Sequence, residues 1–150
     1  MGEIKREIIR KEALQIDTQK RSWEEAVRIC GELMLSLGSV EEGYISAMTD
    51  AIRELGPYIV IAPHIAFAHA ASGKYVIKND MVLVVFKEPV IFGSGNDPVH
   101  LMFGLCATEP ESHVELLQQL AEAIEDDERY DELVNSDSVD ELYRNINNTK

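Results

Sequence analysis

Four histidines are the residues best equipped for chemistry in this 150-residue chain: His64, His69, His100 and His113. Imidazole is the side chain here that is largely neutral, and so nucleophilic, near cell pH. His69 lies in a segment of small and apolar residues, I-A-F-A-H-A over 65–70. At a strand–loop boundary among such neighbours, it could be reached by a reactive group on a second protein. By residue type alone, a core histidine with both nitrogens satisfied is the favoured reading. His113 follows Ser112 at the expected start of a long amphipathic helix. It reads either as a solvated first-turn residue or as a second group that faces the same cleft and donates to an oxyanion. A helix start favours an anion through its free amides and dipole, and disfavours an imidazolium. Imidazole suits zinc, yet no i,i+4 histidine pair or nearby cysteine supports a metal site among His64, His69, His100 and His113. None is expected, and His100 at the start of a buried strand reads as structural. The chain holds no G-x-x-x-x-G-K-[ST], no G-x-G-x-x-G after a strand, no H-E-x-x-H and no G-x-S-x-G.

Charge narrows the partners. The chain carries 14 Lys+Arg against 27 Asp+Glu, a net charge of −13. Phosphate-backbone binding needs basic stripes, so nucleic acid is excluded as the main partner, and an anionic membrane surface is disfavoured. The deficit begins late: residues 1–28 hold seven bases and six acids. Between Arg53 and Arg129 the only cations are Lys74, Lys78 and Lys87. An anion handled there must rely on these, on neutral donors or on histidine. Two cysteines, Cys30 and Cys106, make no disulfide framework and read as small buried residues. No apolar run approaches the ~18 residues of a membrane span. The opening MGEIKREIIRKE is too charged for a signal peptide, so a cytoplasmic protein is expected.

The elements that must position these residues follow from periodicity. Residues 3–11 predict a short helix with Ile4, Ile8 and Ile9 on one face. Leu14–Asp17 alternates like a strand. Ser22 and Glu25 form a capping box before a helix that buries Val27, Cys30, Leu33, Met34 and Leu37, with Gly38 as its C′ stop. A second helix spans 41–54 with Tyr44, Ile45, Met48 and Ile52 inward. Tyr58–Ala62 reads as a buried strand closed by Pro63, and 64–70 as another apolar segment. Met81–Phe86 reads as a fully apolar strand and His100–Ala107 as a further buried strand, separated by Lys87–Val90 and a loop over 93–98. Ser112 caps a helix with Val114, Leu116, Leu117, Leu120 and Ile124 on one side. Residues 122–132 carry seven acids and one base and read as a solvated helix end, and a last helix covers 137–146. Helices alternating with apolar strands predict an α/β fold, a mostly parallel or mixed sheet covered on both faces, in one domain over 1–150.

PYIVIAPHIAFAHA, residues 57–70, resembles the phosphohistidine motif of the EIIA domains of the bacterial phosphoenolpyruvate:sugar phosphotransferase system. The pattern there runs P-Y-I-V-I-A-P-G-I-A-[LM]-P-H-A. Three more stretches agree in order and spacing: SWEEAVRICGELML with EEGYISAMTDAI, then VLVVFKEPVIFGSGNDPVHLMFGLCAT, then ESHVELLQQLAEAI. The likeness covers nearly the whole chain, lies within the fructose/mannitol-type superfamily and is nearest its ascorbate-type branch. It implies a central mixed five-stranded sheet flanked by helices. It implies a cytoplasmic phosphotransferase that takes a phosphoryl group from the carrier HPr and passes it to a cysteine of a cognate EIIB, which serves the membrane permease EIIC in sugar uptake. The phosphorylated histidine of that family falls on His69, and its second active-site histidine on His113. An ascorbate- or pentitol-like sugar is implied, and no metal or organic cofactor. Lys74, the nearest cation in sequence to His69, is added as a phosphate-stabilising candidate from this chain alone.

Three positions depart from the pattern. His64 replaces glycine, Ala68 replaces the proline before the active histidine, and Ala71 stands where the ascorbate branch has arginine. An arginine clamp on phosphate is thereby lost, unless Arg53 supplies the one that the mannitol branch carries near its second helix. His64 is the candidate to take over phosphate stabilisation. The departures keep a second reading open: a regulatory EIIA-like module that binds partners with weak or no phosphotransfer. The sugar itself, which touches EIIB and EIIC, and the association of copies are not legible here.

Overall fold

The computed structural model describes residues 7–124 and 127–147. After a 3-10 turn at Lys11–Ala13, the elements are β1 (Leu14–Asp17), α1 (Trp23–Ser36), α2 (Glu42–Leu55), β2 (Ile65–Ala68), β3 (Asp80–Val90), β4 (Val99–Cys106), α3 (Pro110–Ala123), α4 (Asp127–Val134) and α5 (Val139–Asn147). The sheet is mixed, in the order β1-β3-β4-β2. β1 runs parallel to β3, β3 antiparallel to β4, and β2 parallel to β4. In β3, Met81–Phe86 are all buried. Successive strand side chains point to opposite faces, so both faces of the sheet are covered. Burying each such side chain contributes about 1.5–3 kcal/mol. α1 lies against the face that carries Val82 and Gly104, while α4 meets β3 and β4, and α5 meets β1.

The capping box of α1 forms as expected: Glu25 N–H donates to Ser22 Oγ at 3.2 Å and Ser22 N–H to Glu25 Oε1 at 2.9 Å. Gly38 follows α1 with φ of 74°, the left-handed conformation that a helix stop requires. Val27, Cys30 and Met34 are fully buried, but Leu33 and Leu37 only in part. Lys87 Nζ donates to the carbonyls of Val134 and Ser136 at 2.7 and 2.6 Å, placing a cation at the negative end of α4.

Several expectations are corrected. Among the described residues the sheet has four strands, not the expected five. Tyr58–Ala62 is a chain of turns: Val60 N–H donates to Pro57 O at 3.2 Å, and Ile65 N–H to Ala62 O at 3.1 Å. The segment runs beside β2 but shares only an Ala62–Ile65 bridge and a 2.9 Å bond from Phe67 N–H to Ile59 O. The helix expected over 3–11 lies partly outside the described residues, and 7–10 are not helical. Lys87–Val90 continues β3 through a register shift. α3 starts at Pro110 with Glu109 as N-cap, so Ser112 sits inside its first turn. Proline at the first helical position, whose missing N–H costs nothing there, was the better start signal. Val114 is 53% exposed, so the apolar side of α3 is not wholly spent on the core.

Candidate active site

Topology brings His69 and His113 together. β2 and β4 are parallel neighbours, so their C-terminal ends share one edge of the sheet. His69 is the first residue beyond β2, and α3, which carries His113 in its first turns, begins a few residues beyond β4. Crevices outside the carboxyl ends of strands are the usual place for ligands in α/β sheets. The two imidazole rings lie 5.0 Å apart between centroids at 65°. They line a cavity of about 480 Å³ with Ala47, Ala51, Leu55, Tyr58, Ala70, Ala71 and Ser72.

The tautomer of His69 is set by its partner. Nδ1 lies 2.6 Å from the carbonyl oxygen of Phe67, which can only accept, so Nδ1 carries the proton. Nε2 is then the nitrogen with the free lone pair, and no described residue hydrogen-bonds to it. Both rings are half-buried. Burial, and secondarily the neighbouring imidazole of His69, push the His113 pKa below its ordinary value, which favours the neutral ring. Tyr58 stacks edge-on against His69 at 5.3 Å and 84°.

The remaining candidates lie elsewhere. His64 lines a separate cavity of about 520 Å³ with His100, Pro98, Tyr130 and residues of α4. Its Nδ1–H donates to Pro98 O at 2.8 Å, and its ring lies 6.0 Å from that of Tyr130. The glycine-to-histidine departure thus does not add bulk at the His69 site. His64 is the third residue of the Ala62–Ile65 turn, after Pro63, with φ of 68°. That slot of a type II turn favours glycine on backbone grounds alone. Lys74 is exposed, with Nζ 5.1 Å from the Tyr75 ring centroid, and does not line the His69 cavity. Arg53 does not supply the missing arginine. It pairs with Glu24 and, at 3.0 Å, with Asp50, and its guanidinium stands 6.0 Å from the Trp23 ring. Two residues from Ala51, it projects about 200° around α2 from the cavity. Among the described residues, then, no lysine or arginine lines this cavity. His100 donates through Nδ1 to Phe86 O at 2.8 Å, in keeping with a structural role.

Sequence reasoning missed Tyr58, Tyr44 and one face of α2. A signal existed for the last: Ala47, Ala51 and Leu55 recur at i, i+4, i+8, beside the core stripe of Tyr44, Met48 and Ile52.

Residues 7–149 match the family described as phosphoenolpyruvate-dependent sugar phosphotransferase system, EIIA 2. The chain belongs to this family. It is a phosphotransferase component that acts through a phosphohistidine. The ascorbate-specific PTS system EIIA component of Escherichia coli K12 is 32% identical over 123 residues, which cover 81% of this chain and 80% of that one. A solution structure of the mannitol-specific cryptic phosphotransferase enzyme IIA of Escherichia coli superposes with a TM-score of 0.85 at 26% identity, over 95% of this EIIA chain and 97% of that one. Enzyme IIA of the Escherichia coli mannitol system, in complex with phosphorylated enzyme IIB, superposes with a TM-score of 0.80 at 28% identity, over 90% and 94% of the two chains. Among the described residues, no helix is long and apolar enough to cross a membrane.

Proposed function

We propose that this EIIA component is a cytoplasmic phosphocarrier that accepts a phosphoryl group from HPr on Nε2 of His69 and hands it to a cognate EIIB. The observation that carries this reading is the Nδ1–H bond to Phe67 O, which leaves Nε2 unprotonated beside His113 in an open cavity. The Nε2 lone pair attacks phosphorus in line. The bond from phosphorus to the donor breaks, and its electron pair leaves with the donor. Nδ1 keeps its proton, so positive charge that develops on the ring is shared with the Phe67 carbonyl. Onward transfer reverses these steps toward the EIIB acceptor. His113, neutral and at the start of α3, supports the phosphoryl oxygens together with backbone amides. With no lysine or arginine on the described lining, positioning rather than charge is the main contribution to the rate. The likeness to ascorbate-specific components supports an ascorbate- or pentitol-like sugar at the end of the relay.

The test is incubation with phosphoenolpyruvate, the general enzyme EI and HPr, followed by addition of an ascorbate-type EIIB. One acid-labile phosphoryl group per chain, absent in His69→Gln and passed on to EIIB, is the expected result. Label that persists in His69→Gln overturns the assignment. Label that forms but moves to no EIIB favours the regulatory reading, which the cation-free lining and Ala71 motivate.

A further inference from the structure

The peptide unit that follows His69 is held on both edges by tyrosine hydroxyls. Tyr58 Oη donates to the His69 carbonyl at 2.7 Å. The Ala70 N–H, on the opposite edge of the same plane, donates to Tyr44 Oη at 2.9 Å. Tyr44 gives its own proton to the Leu105 carbonyl of β4 at 2.7 Å, so its oxygen is free to accept from Ala70. The hydroxyls come from different places: Tyr44 from the buried face of α2, Tyr58 from the turn after it.

We infer that Tyr58 and Tyr44 are positioning residues for phosphoryl transfer, clamping the 69–70 peptide plane so that Nε2 of His69 is held on the line of attack. This rests on the phosphocarrier role proposed for His69. On the near side of His69, the pairing of Ala68 with Gly104 fixes the chain. On the far side the two hydroxyls do so, and the His69 backbone angles are caught between two fixed planes. Those angles decide which side-chain rotamers are open to it. The 2.6 Å bond to Phe67 O, and with it the tautomer, depends on the rotamer chosen. The edge-on ring of Tyr58 restricts the imidazole further. Burial pushes both phenols above their ordinary pKa, so each hydroxyl keeps its proton. Misplacing a reacting atom by about 1 Å can cost about 100-fold in rate, which is the scale on which such a clamp acts.

Tyr58→Phe removes one hydroxyl and keeps the ring. Tyr44→Phe removes the other, and because Tyr44 is fully buried, Tyr58→Phe decides alone if that variant does not fold. Two readouts are taken. Nitrogen-15 NMR of the His69 ring reports the tautomer with no partner present, and phosphorylation by phospho-HPr reports kcat and KM. Tyr58→Phe is expected to lower kcat about 10-fold at unchanged KM for HPr. Its His69 ring is expected to become a mixture of tautomers where the parent shows Nδ1–H alone. A kcat within about twofold of the parent, with the single tautomer retained, overturns the clamp. A parent protein that HPr cannot phosphorylate overturns the phosphocarrier reading instead, and the tautomer shift then still establishes the clamp on His69.

Discussion

Replacing Gly104 with alanine separates two opposite expectations. In a strand interior, removing a glycine ordinarily stabilises by about 0.5–1 kcal/mol, because the unfolded chain loses freedom. Gly104 has no positive φ to protect, so backbone considerations alone favour the change. Packing opposes it. A Cβ at 104 would lie 2.5 Å from Cys30 Sγ, 2.7 Å from Val82 Cγ2 and 3.1 Å from Met34 Cε. The methionine end can swing away. The cysteine Sγ could move only by a change of χ1 within a fully buried site, and the valine is stiff at χ1. Either α1 must lift from β4 or the strand must bend. Overpacking of this kind costs about 1–3 kcal/mol, so a net loss of about 1–2 kcal/mol is expected. The assay is urea unfolding of Gly104→Ala, Cys30→Ala and the double variant. Removing Sγ relieves the closer clash, so the double variant should recover about 1 kcal/mol relative to additivity. Because Gly104 pairs with Ala68, one residue before His69, the single variant should also transfer phosphoryl more slowly. A single variant as stable as the parent, or more so, would refute the close seating of α1 on the sheet.

Two further perturbations test the electrostatics. Asp80 takes a two-pronged bond from Arg10 at 2.6 and 2.9 Å, and accepts from Ser39 and from Met81 N–H. Burial alone would raise its pKa, but these donors outweigh it and hold the carboxylate below its ordinary range. Its contribution is therefore present above the unfolded value of about 3.9 and lost as pH falls through the native value, so Asp80→Asn should cost about 2 kcal/mol at neutral pH and narrow its gap to the parent in acid, read by denaturant unfolding at several pH values. The depressed His113 pKa has the corresponding sign for a base. Unfolded chains bind the extra proton first, so the contribution of neutral His113 is present above about 6.5 and lost as pH drops through its native value. The parent should lose stability relative to His113→Gln over that window, and a gap that stays constant contradicts the burial of this ring.

The periodic elements were legible because core burial and capping are local in sequence. The Ser22 box, the Gly38 stop and the apolar run Met81–Phe86 each follow from residues within one or two turns of one another. Residue types left a shared cleft for His69 and His113 as one of two readings, and the resemblance favoured it, since what joins them is the parallel pairing of β2 with β4, a contact between distant residues. Tyr58–Ala62 misled because a short apolar run reads alike as strand or as buried turn. What ends it as a strand is Pro63 and His64 turning the chain back to Ile65. His64 was read as a phosphate partner because it stood near His69 in sequence, whereas the turn points its ring to the other cavity. The tyrosine clamp had no local signature, because Tyr44 and Ala70 are 26 residues apart.

The central claim is the chemical identity of the phosphorylated atom, and phosphorus and nitrogen NMR of the chain charged by phosphoenolpyruvate, EI and HPr tests it most directly. The proposed role of His69, with Nδ1–H held by Phe67 O, predicts a phosphoryl group on Nε2 and the proton retained on Nδ1. A phosphoryl group found on Nδ1 of His69, or on His64, His100 or His113, would contradict it.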